Sequence, residues 1–195
     1  SMVAVGYFLE RALPTRLKQI VAATGQSPTD FIALAGFGPT LANMGLTGAI
    51  GTLYVLLVGG ELNGPVIGAI LTIVGFAAFG KHPRNIVPIM LGVFLGSLFK
   101  PWSAADPSIL LAALFGTTLA PIAGRFGWHW GVVAGLVHSS AALSVGSLHA
   151  GLNLYNNGFA AGLVAAVLVP VIVAVRGERE EVRAPAAAPP RGSPD

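Results

Sequence analysis

Cysteine and charge are what this sequence lacks. None of its 195 residues is cysteine, and only 10% are charged, against about 25% in an average soluble domain. The first absence excludes a disulfide framework and a thiolate metal site. The second leaves too few charged side chains to cover a water-exposed surface, since 54% of the residues are hydrophobic and the mean hydropathy is +0.75. We therefore expect a polytopic integral membrane protein.

Several classes of function are excluded by motifs that are missing. The net charge of +3 forms no basic face interleaved with aromatic residues, so we expect no nucleic-acid partner. The sequence has no nucleotide-binding Gly-Lys-Ser loop, no GxSxG and no HExxH. The histidines of its apolar segments lack the spacing of metal ligands. We expect neither an enzyme nor a bound cofactor or metal.

Long uncharged runs predict an all-α transmembrane helical bundle. The runs divide residues 31–176 into about six membrane segments, at roughly 45–59, 62–80, 86–99, 107–124, 128–148 and 158–175. Residues 1–30 carry apolar residues at near-helical spacing among basic ones, which predicts an amphipathic or interfacial helix, or else the end of a longer helix. Residues 177–195 are charged and then rich in proline and alanine, which predicts a disordered tail.

The basic residues predict the orientation of these segments. With the N-terminus in the cytoplasm, nearly all lysines and arginines lie inside, and only Lys100 lies outside together with Glu61 and Asp106. This follows the positive-inside rule and predicts that both termini lie in the cytoplasm. The stretch KHPRN, residues 81–85, is then a cytoplasmic turn, which we interpret as a topology signal rather than an anionic-lipid contact.

Two segments are predicted to be broken or re-entrant. The stretch GFGPTLANMG, Gly36 to Gly45, interrupts an apolar run with Pro39, Thr40 and Asn43. Irregular backbone at membrane depth persists only when it is buried in protein or lines a wet cavity, so Asn43 is a candidate lining residue. The run Ile86–Phe99 would reach only about 21 Å as a helix, which requires Lys100 to snorkel or the segment to be re-entrant.

A diverged internal repeat connects two parts of the chain. NGPVIGAILTIV begins at Asn63 and NGFAAGLVAAVL at Asn157, and upstream GPTLAN from Gly38 matches GTTLAP from Gly116. Interrupted apolar segments in matching places of a repeat indicate a transport site. Each asparagine is expected to cap a helix, as Asn is a good N-cap. The helix start then either faces a polar solute in a cavity or is an ordinary cap at the membrane surface.

Glu61 and His138 are the ionisable candidates. Glu61 at membrane depth would be a solute, proton or cation ligand, but the run lengths favour an outer loop. His138, within GLVHSSAALS, either relays a proton or binds a solute amide, or makes an interhelical hydrogen bond with a serine or a carbonyl. We slightly favour the structural interpretation.

The quoted stretches resemble two families. GFGPTLANMGLTG, the run from Gly59 to Gly96 and GLNLYNNGFAAGLV together resemble a bacterial multi-pass family known only as a domain of unknown function, over most of residues 30–175. ELNGPVIGAILTIVG and LNLYNNGFAAGLVAAVL are similar to signatures of the urea transporter family. That likeness implies two homologous halves around a narrow polar pore and a trimer. It also implies that Asn63 and Asn157 flank the path and that Thr40 and Thr118 line it. The chain is about half that family's length, and Asn156 replaces an aromatic residue.

These observations predict a passive channel or facilitator for a small polar solute. It would sit in contact with membrane lipid as a homo-oligomer, a dimer or trimer. The candidate lining residues are Asn63, Asn157, Thr40, Thr118, Glu61, Asn43 and His138. Two alternatives stay open: a proton-coupled secondary transporter using Glu61 and His138, and a membrane scaffold or subunit of a complex.

Overall fold

All regular structure in the described residues is helical, as the sequence predicts. The computed structural model describes residues 1–9, 13–26, 29–146 and 153–183. The helices are α1 (Met2–Leu9), α2 (Leu13–Ala22), α3 (Phe31–Ala35), α4 (Phe37–Leu57), α5 (Gly64–Phe76), α6 (Pro83–Leu98), α7 (Pro107–Gly116), α8 (Ala120–Phe126), α9 (Trp128–Ser144) and α10 (Asn153–Arg183), with a 3-10 turn, Thr117–Leu119, between α7 and α8.

Three helical stretches are long and apolar enough to cross a membrane: Phe37–Leu57, Pro107–Phe126 and Tyr155–Gly177. This is consistent with an integral membrane protein. Helices α5 and α6 are apolar but have only 13 and 16 residues. At 1.5 Å per residue they reach about 20 and 24 Å, less than the roughly 30 Å of a bilayer core.

The interruption expected between Gly36 and Gly45 lies at Gly36 alone, so the broader prediction is wrong. Gly36 separates α3 from α4 with a φ of 96°, and α4 then runs without a break from Phe37 to Leu57. Pro39 is tolerated because it lies in the first turn, where a missing N–H needs no partner. The Thr40 hydroxyl donates to Gly36 O at 2.8 Å, so it serves the helix start.

The two Asn-Gly pairs adopt different local structures. Asn63 is the N-cap of α5, as predicted: its Oδ1 accepts a hydrogen bond from Val66 N at 3.1 Å, and Pro65 lies in the first turn. The prediction that Asn157 also begins a helix is wrong. Helix α10 begins at Asn153 and continues through Asn157 and Gly158. Because Asn157 lies inside the helix, its side chain is not used as a cap and instead contacts His138 on α9.

The N-terminal segment forms two helices instead of the single predicted one. Helix α1 packs antiparallel on α4, with Gly6 against Gly38 and Gly45 against Met2. Helix α2 buries Ile20 against α3. At the other end α10 is helical to Arg183, so the first seven residues of the predicted tail are helical, and residues 184–195 lie outside the described part.

Helices α6 and α9 pack most intimately, and glycines make this possible. Gly92 on α6 faces the backbone of Val132, and Gly135 on α9 faces the backbone of Ile89. There is no room for a β-carbon at either position. Gly45 also lies against a neighbouring helix, and such close backbone approach is what small residues allow.

We expect Gly92→Ala and Gly135→Ala each to destabilise the protein by about 1–3 kcal/mol, because the added methyl meets a carbonyl that cannot move without shifting a helix. Thermal unfolding in detergent measures this as a lower Tm. Gly68→Ala on α5 is the control, because nothing lies within 4 Å of its β-carbon position. Equal Tm values for the three variants would contradict the close packing of α6 and α9.

Candidate functional site

The break between α7 and α8 lies in the middle of an otherwise apolar span. Pro121 has no N–H to donate to Thr117 O, which accepts from Ala120 N instead. The Thr117 hydroxyl donates to Leu114 O at 2.6 Å. Both bonds tighten the chain into a 3-10 turn. Polar side chains from other helices reach this turn from two sides, and together they form what we call the polar layer: Asn43, Lys81, Thr117, His138 and Asn157.

Lys81 approaches the break from the turn between α5 and α6. Its ammonium donates to Thr117 Oγ1 at 2.8 Å and lies 5.0 Å from the centre of the Phe76 ring. Only 9% of the residue is exposed. Within the described residues no carboxylate pairs with it. Its charge is therefore balanced by a hydroxyl and an aromatic face instead of an acid.

Two buried asparagines hold the turn that carries Lys81. Asn43 Nδ2 donates to Ala77 O at 2.7 Å and to Lys81 O at 2.8 Å. Asn85 Nδ2 donates to Gly80 O at 2.9 Å, and its Oδ1 accepts from His82 N at 2.9 Å. Buried carbonyls need such partners, because leaving one unpaired costs free energy comparable to a lost hydrogen bond. The turn is thus fixed to α4.

The N-terminal segment covers the same turn from outside. A ring nitrogen of His82, Nε2, lies 2.9 Å from Ala23 O, and Phe31 N donates to Ala78 O at 3.1 Å. Gly25, at a φ of +69°, lies against Gly80. Lys81 and His82, at 9% and 1% exposed, are therefore buried in the turn that the sequence analysis assigns as a topology signal. Backbone groups of the N-terminal segment thus form hydrogen bonds with the turn, in place of bonds that water would otherwise make.

His138 approaches the break from the other side. Its Nε2 lies 3.0 Å from Asn157 Oδ1, and both side chains are buried. Gly116 packs on the ring, with its β-carbon position 2.7 Å from His138 Cδ2. The predicted interhelical hydrogen bond of His138 exists, but its partner is an amide. In the described part of the chain His138 Nδ1 and Asn156 Oδ1 are buried without a hydrogen-bond partner.

A second lysine reaches α9 next to His138. The Lys100 ammonium donates to Ser139 Oγ at 2.8 Å, to Ser140 Oγ at 2.6 Å and to Leu136 O at 3.0 Å. Gly96 leaves room for this side chain. Burial lowers the pKa of Lys100. Snorkelling would keep the charged group in water. Lys100 instead folds back onto the bundle, and its ammonium contacts protein hydroxyls.

The structure joins some of the predicted residues and separates others. His138 and Asn157 are in contact. Asn43 is connected to them only indirectly: it bonds the turn that carries Lys81, and Lys81 bonds Thr117 next to the glycine that packs on His138. Thr118 is exposed and lines a cleft of about 230 Å³ together with Lys81. Glu61 is exposed in the connection before α5. Asn63 and Thr40 bond within their own helices.

Sequence reasoning missed Lys81, Thr117, Asn85 and Asn156 as site residues. One signal could have found Lys81: the segment after it is too short to cross a bilayer, so the turn before it need not lie at the surface. Thr117 stands beside the predicted Thr118, and only the 3-10 turn decides which hydroxyl points inward.

A family model matches residues 9–174, and it describes a protein of unknown function, DUF1576. The chain belongs to this family. No curated protein and no solved structure matches it significantly. The resemblance to an uncharacterised family is confirmed, whereas nothing in these comparisons supports the resemblance of this DUF1576 protein to the urea transporters.

Asn43→Leu is expected to release the turn between α5 and α6, because it leaves two buried carbonyls without donors. The cost is about 1–3 kcal/mol. Hydrogen exchange followed by mass spectrometry should show faster exchange in residues 77–85. Thr72→Val is the control, since its exposed hydroxyl bonds only Gly68 O in its own helix. Unchanged exchange in 77–85 would show that Asn43 does not hold the turn.

Gly116→Ala should lower the Tm of the DUF1576 protein, because the new methyl meets the His138 ring, and overpacking costs about 1–3 kcal/mol. In a His138→Ala background the same substitution should cost much less, since contacting residues are not additive. Gly162→Ala, with open space at its β-carbon position, is the control in both backgrounds. Additive effects of Gly116→Ala and His138→Ala would refute the packing of glycine on histidine.

Proposed function

We propose that this protein is a passive channel or facilitator for a small polar solute, acting as a homo-oligomer in a bacterial inner membrane with both termini cytoplasmic. The observation that carries the proposal is the polar layer. It crosses the bundle where the span Pro107–Phe126 is broken, and it joins Lys81, Thr117 and His138.

The depth of the layer is the first argument for transport. Thr117 lies about 15 Å along the span from Pro107 and nearly as far from Phe126. Polar and ionisable groups at the centre of a bilayer are costly, and they mark substrate or ion pathways in membrane proteins. The turn between α5 and α6 lies toward the Phe126 end of this span, where α4 and the N-terminal segment bury it, and the Lys81 side chain extends from it to Thr117.

Access to the layer is the second argument. The cleft of about 230 Å³ at Lys81 and Thr118 is also lined by Gln26. It is smaller than the roughly 300–1,000 Å³ of sites for drug-sized ligands, which favours a small solute. Glu61 and Asn63 lie at the far end of α5, about 20 Å from this cleft. We assign them to the opposite mouth of the path.

The chemistry of the layer suits a solute that exchanges hydrogen bonds. A polar solute entering the bundle loses its water, and donors and acceptors along the path must replace it. The Lys81 ammonium and the Thr117 hydroxyl supply these on one side of the break. His138 and Asn157 supply a ring nitrogen and an amide on the other. The proposed diverged repeat would relate the two GxTLAx motifs, which contain Thr40 and Thr118.

Proton-coupled transport is the second candidate. Glu61 is exposed in a turn, which argues against pairing it with His138 as a proton path. The observation that favours coupling is instead the buried Lys81, which bonds a neutral hydroxyl and so can lose its proton without leaving an unpaired carboxylate.

Solute flux into proteoliposomes tests both candidates, using stopped-flow swelling against a panel of small polar solutes. Thr117→Val and Asn157→Leu each remove one partner of a buried hydrogen bond, and we expect permeation to fall about tenfold or more. Thr72→Val, at a partly buried threonine of α5 outside the layer, should keep the wild-type rate. Accumulation against a gradient driven by an imposed pH difference would select coupled transport. If the folded protein gives no permeation, the channel proposal is overturned and the membrane scaffold is the remaining candidate.

A further inference from the structure

A basic pocket lies at the end of the bundle where α2, α8 and α10 meet the starts of α6 and α9. Its volume is about 380 Å³, and the side chains that matter in it are Arg84, Arg125, Arg176, His82, Phe126 and Trp128. It is separate from the polar layer, and the arrangement proposed above makes no use of its arginines.

Two of the three arginines lie against one aromatic ring. The guanidinium carbon of Arg125 lies 4.8 Å from the centre of the Phe126 ring, and that of Arg176 lies 5.8 Å from it. Within the described side chains neither of them pairs with a carboxylate, and Arg84 stands in the same pocket. Like charges held this close repel one another unless an anion is present. Arginine is also the side chain that best matches a phosphate.

The start of α9 adds to the positive potential of the basic pocket. Gly127, at a φ of 106°, precedes the helix, and no side chain caps its first N–H groups. Gly127 and Trp128 both line the pocket. In a helix of 17 residues these free N–H groups and the helix dipole favour an anion at this end.

The basic pocket opens into an apolar groove along α6. A groove of about 470 Å³ shares Val21, Arg84 and Trp128 with the pocket and continues over Val87 and Leu91. A further apolar groove of about 320 Å³ shares Val87 and Leu91 and ends near Phe94, between α4 and α6. From Pro83 to Phe94 the path measures about 17 Å along the helix.

We propose that this surface binds one anionic phospholipid, with its phosphate in the basic pocket and an acyl chain in the groove along α6. The charge of the pocket selects an anionic headgroup, and basic pockets between membrane helices bind such groups. The length of the groove matches one leaflet, since half of a hydrocarbon core is about 15 Å thick. A soluble phosphate compound would use the pocket and leave the groove empty.

Native mass spectrometry of the detergent-released protein tests the proposal, with phosphatidylglycerol and phosphatidylcholine that carry the same acyl chains. We expect preferential retention of phosphatidylglycerol. Arg84→Gln should weaken it about fivefold, as one basic residue contributes about 1 kcal/mol to anionic-lipid binding. Lys18→Gln removes one exposed positive charge outside the pocket and should have no effect. Leu91→Trp fills the groove and should also weaken retention, whereas Leu71→Trp, at an exposed leucine on α5, should not.

Three results would overturn the lipid site. The first is equal retention of the two lipids, or retention that none of the four variants changes, which indicates non-specific lipid around the helices. The second is a phosphate site only: inorganic phosphate displaces phosphatidylglycerol, and Leu91→Trp binds as the wild type does. The third is a lipid-free dimer that Leu91→Trp dissociates, which would assign the groove to a second copy of the chain.

Discussion

The two hydrogen bonds that the Asn43 amide donates are the interaction on which the arrangement of the polar groups depends. They tie the turn between α5 and α6 to α4, and this fixes where the Lys81 ammonium can reach. Lys81 meets Thr117 at the break of the most buried of the three candidate spans, and Gly116 beside it contacts the His138 ring. A lipid environment offers no water to the carbonyls of an irregular turn. One amide therefore converts a short helical hairpin into a part of the bundle with a defined position.

Close approach of backbones provides the second constraint. The polar groups come from three helices and two turns, and they meet because glycines let the helices lie against one another. Gly92 and Gly135 bring α6 onto α9, while Gly124 brings α8 against Thr24 of the N-terminal segment. Small residues are a general device for packing helices where lipid removes the hydrophobic driving force. Gly92, Gly124 and Gly135 thus mark places where the backbones come close together.

Local chemistry was predictable from the sequence, and partners distant along the chain were not. The class of fold followed from the scarcity of charge, and the cap at Asn63 followed from the order Asn-Gly-Pro, because a cap is a contact between near neighbours. The same Asn-Gly pair at Asn157 lies inside a helix, because its amide contacts His138, which no local pattern reveals. Lys81 was interpreted only as part of a topology signal for the same reason, because only the fold brings Asn43 and Thr117 to it. His138 was correctly expected to bond another helix, while the identity of its partner required the structure.

The break between α7 and α8 has an electrostatic consequence of its own. Interrupting a span gives it two extra ends, and the C-terminal end of α7 presents the negative pole of a half-length dipole at Gly116 and Thr117. The Lys81 ammonium lies at this pole. Peptide dipoles and one hydroxyl thereby take the place of an acidic counter-ion. Among the described residues, the Lys81 ammonium is held without a carboxylate, which would also bind a second cation.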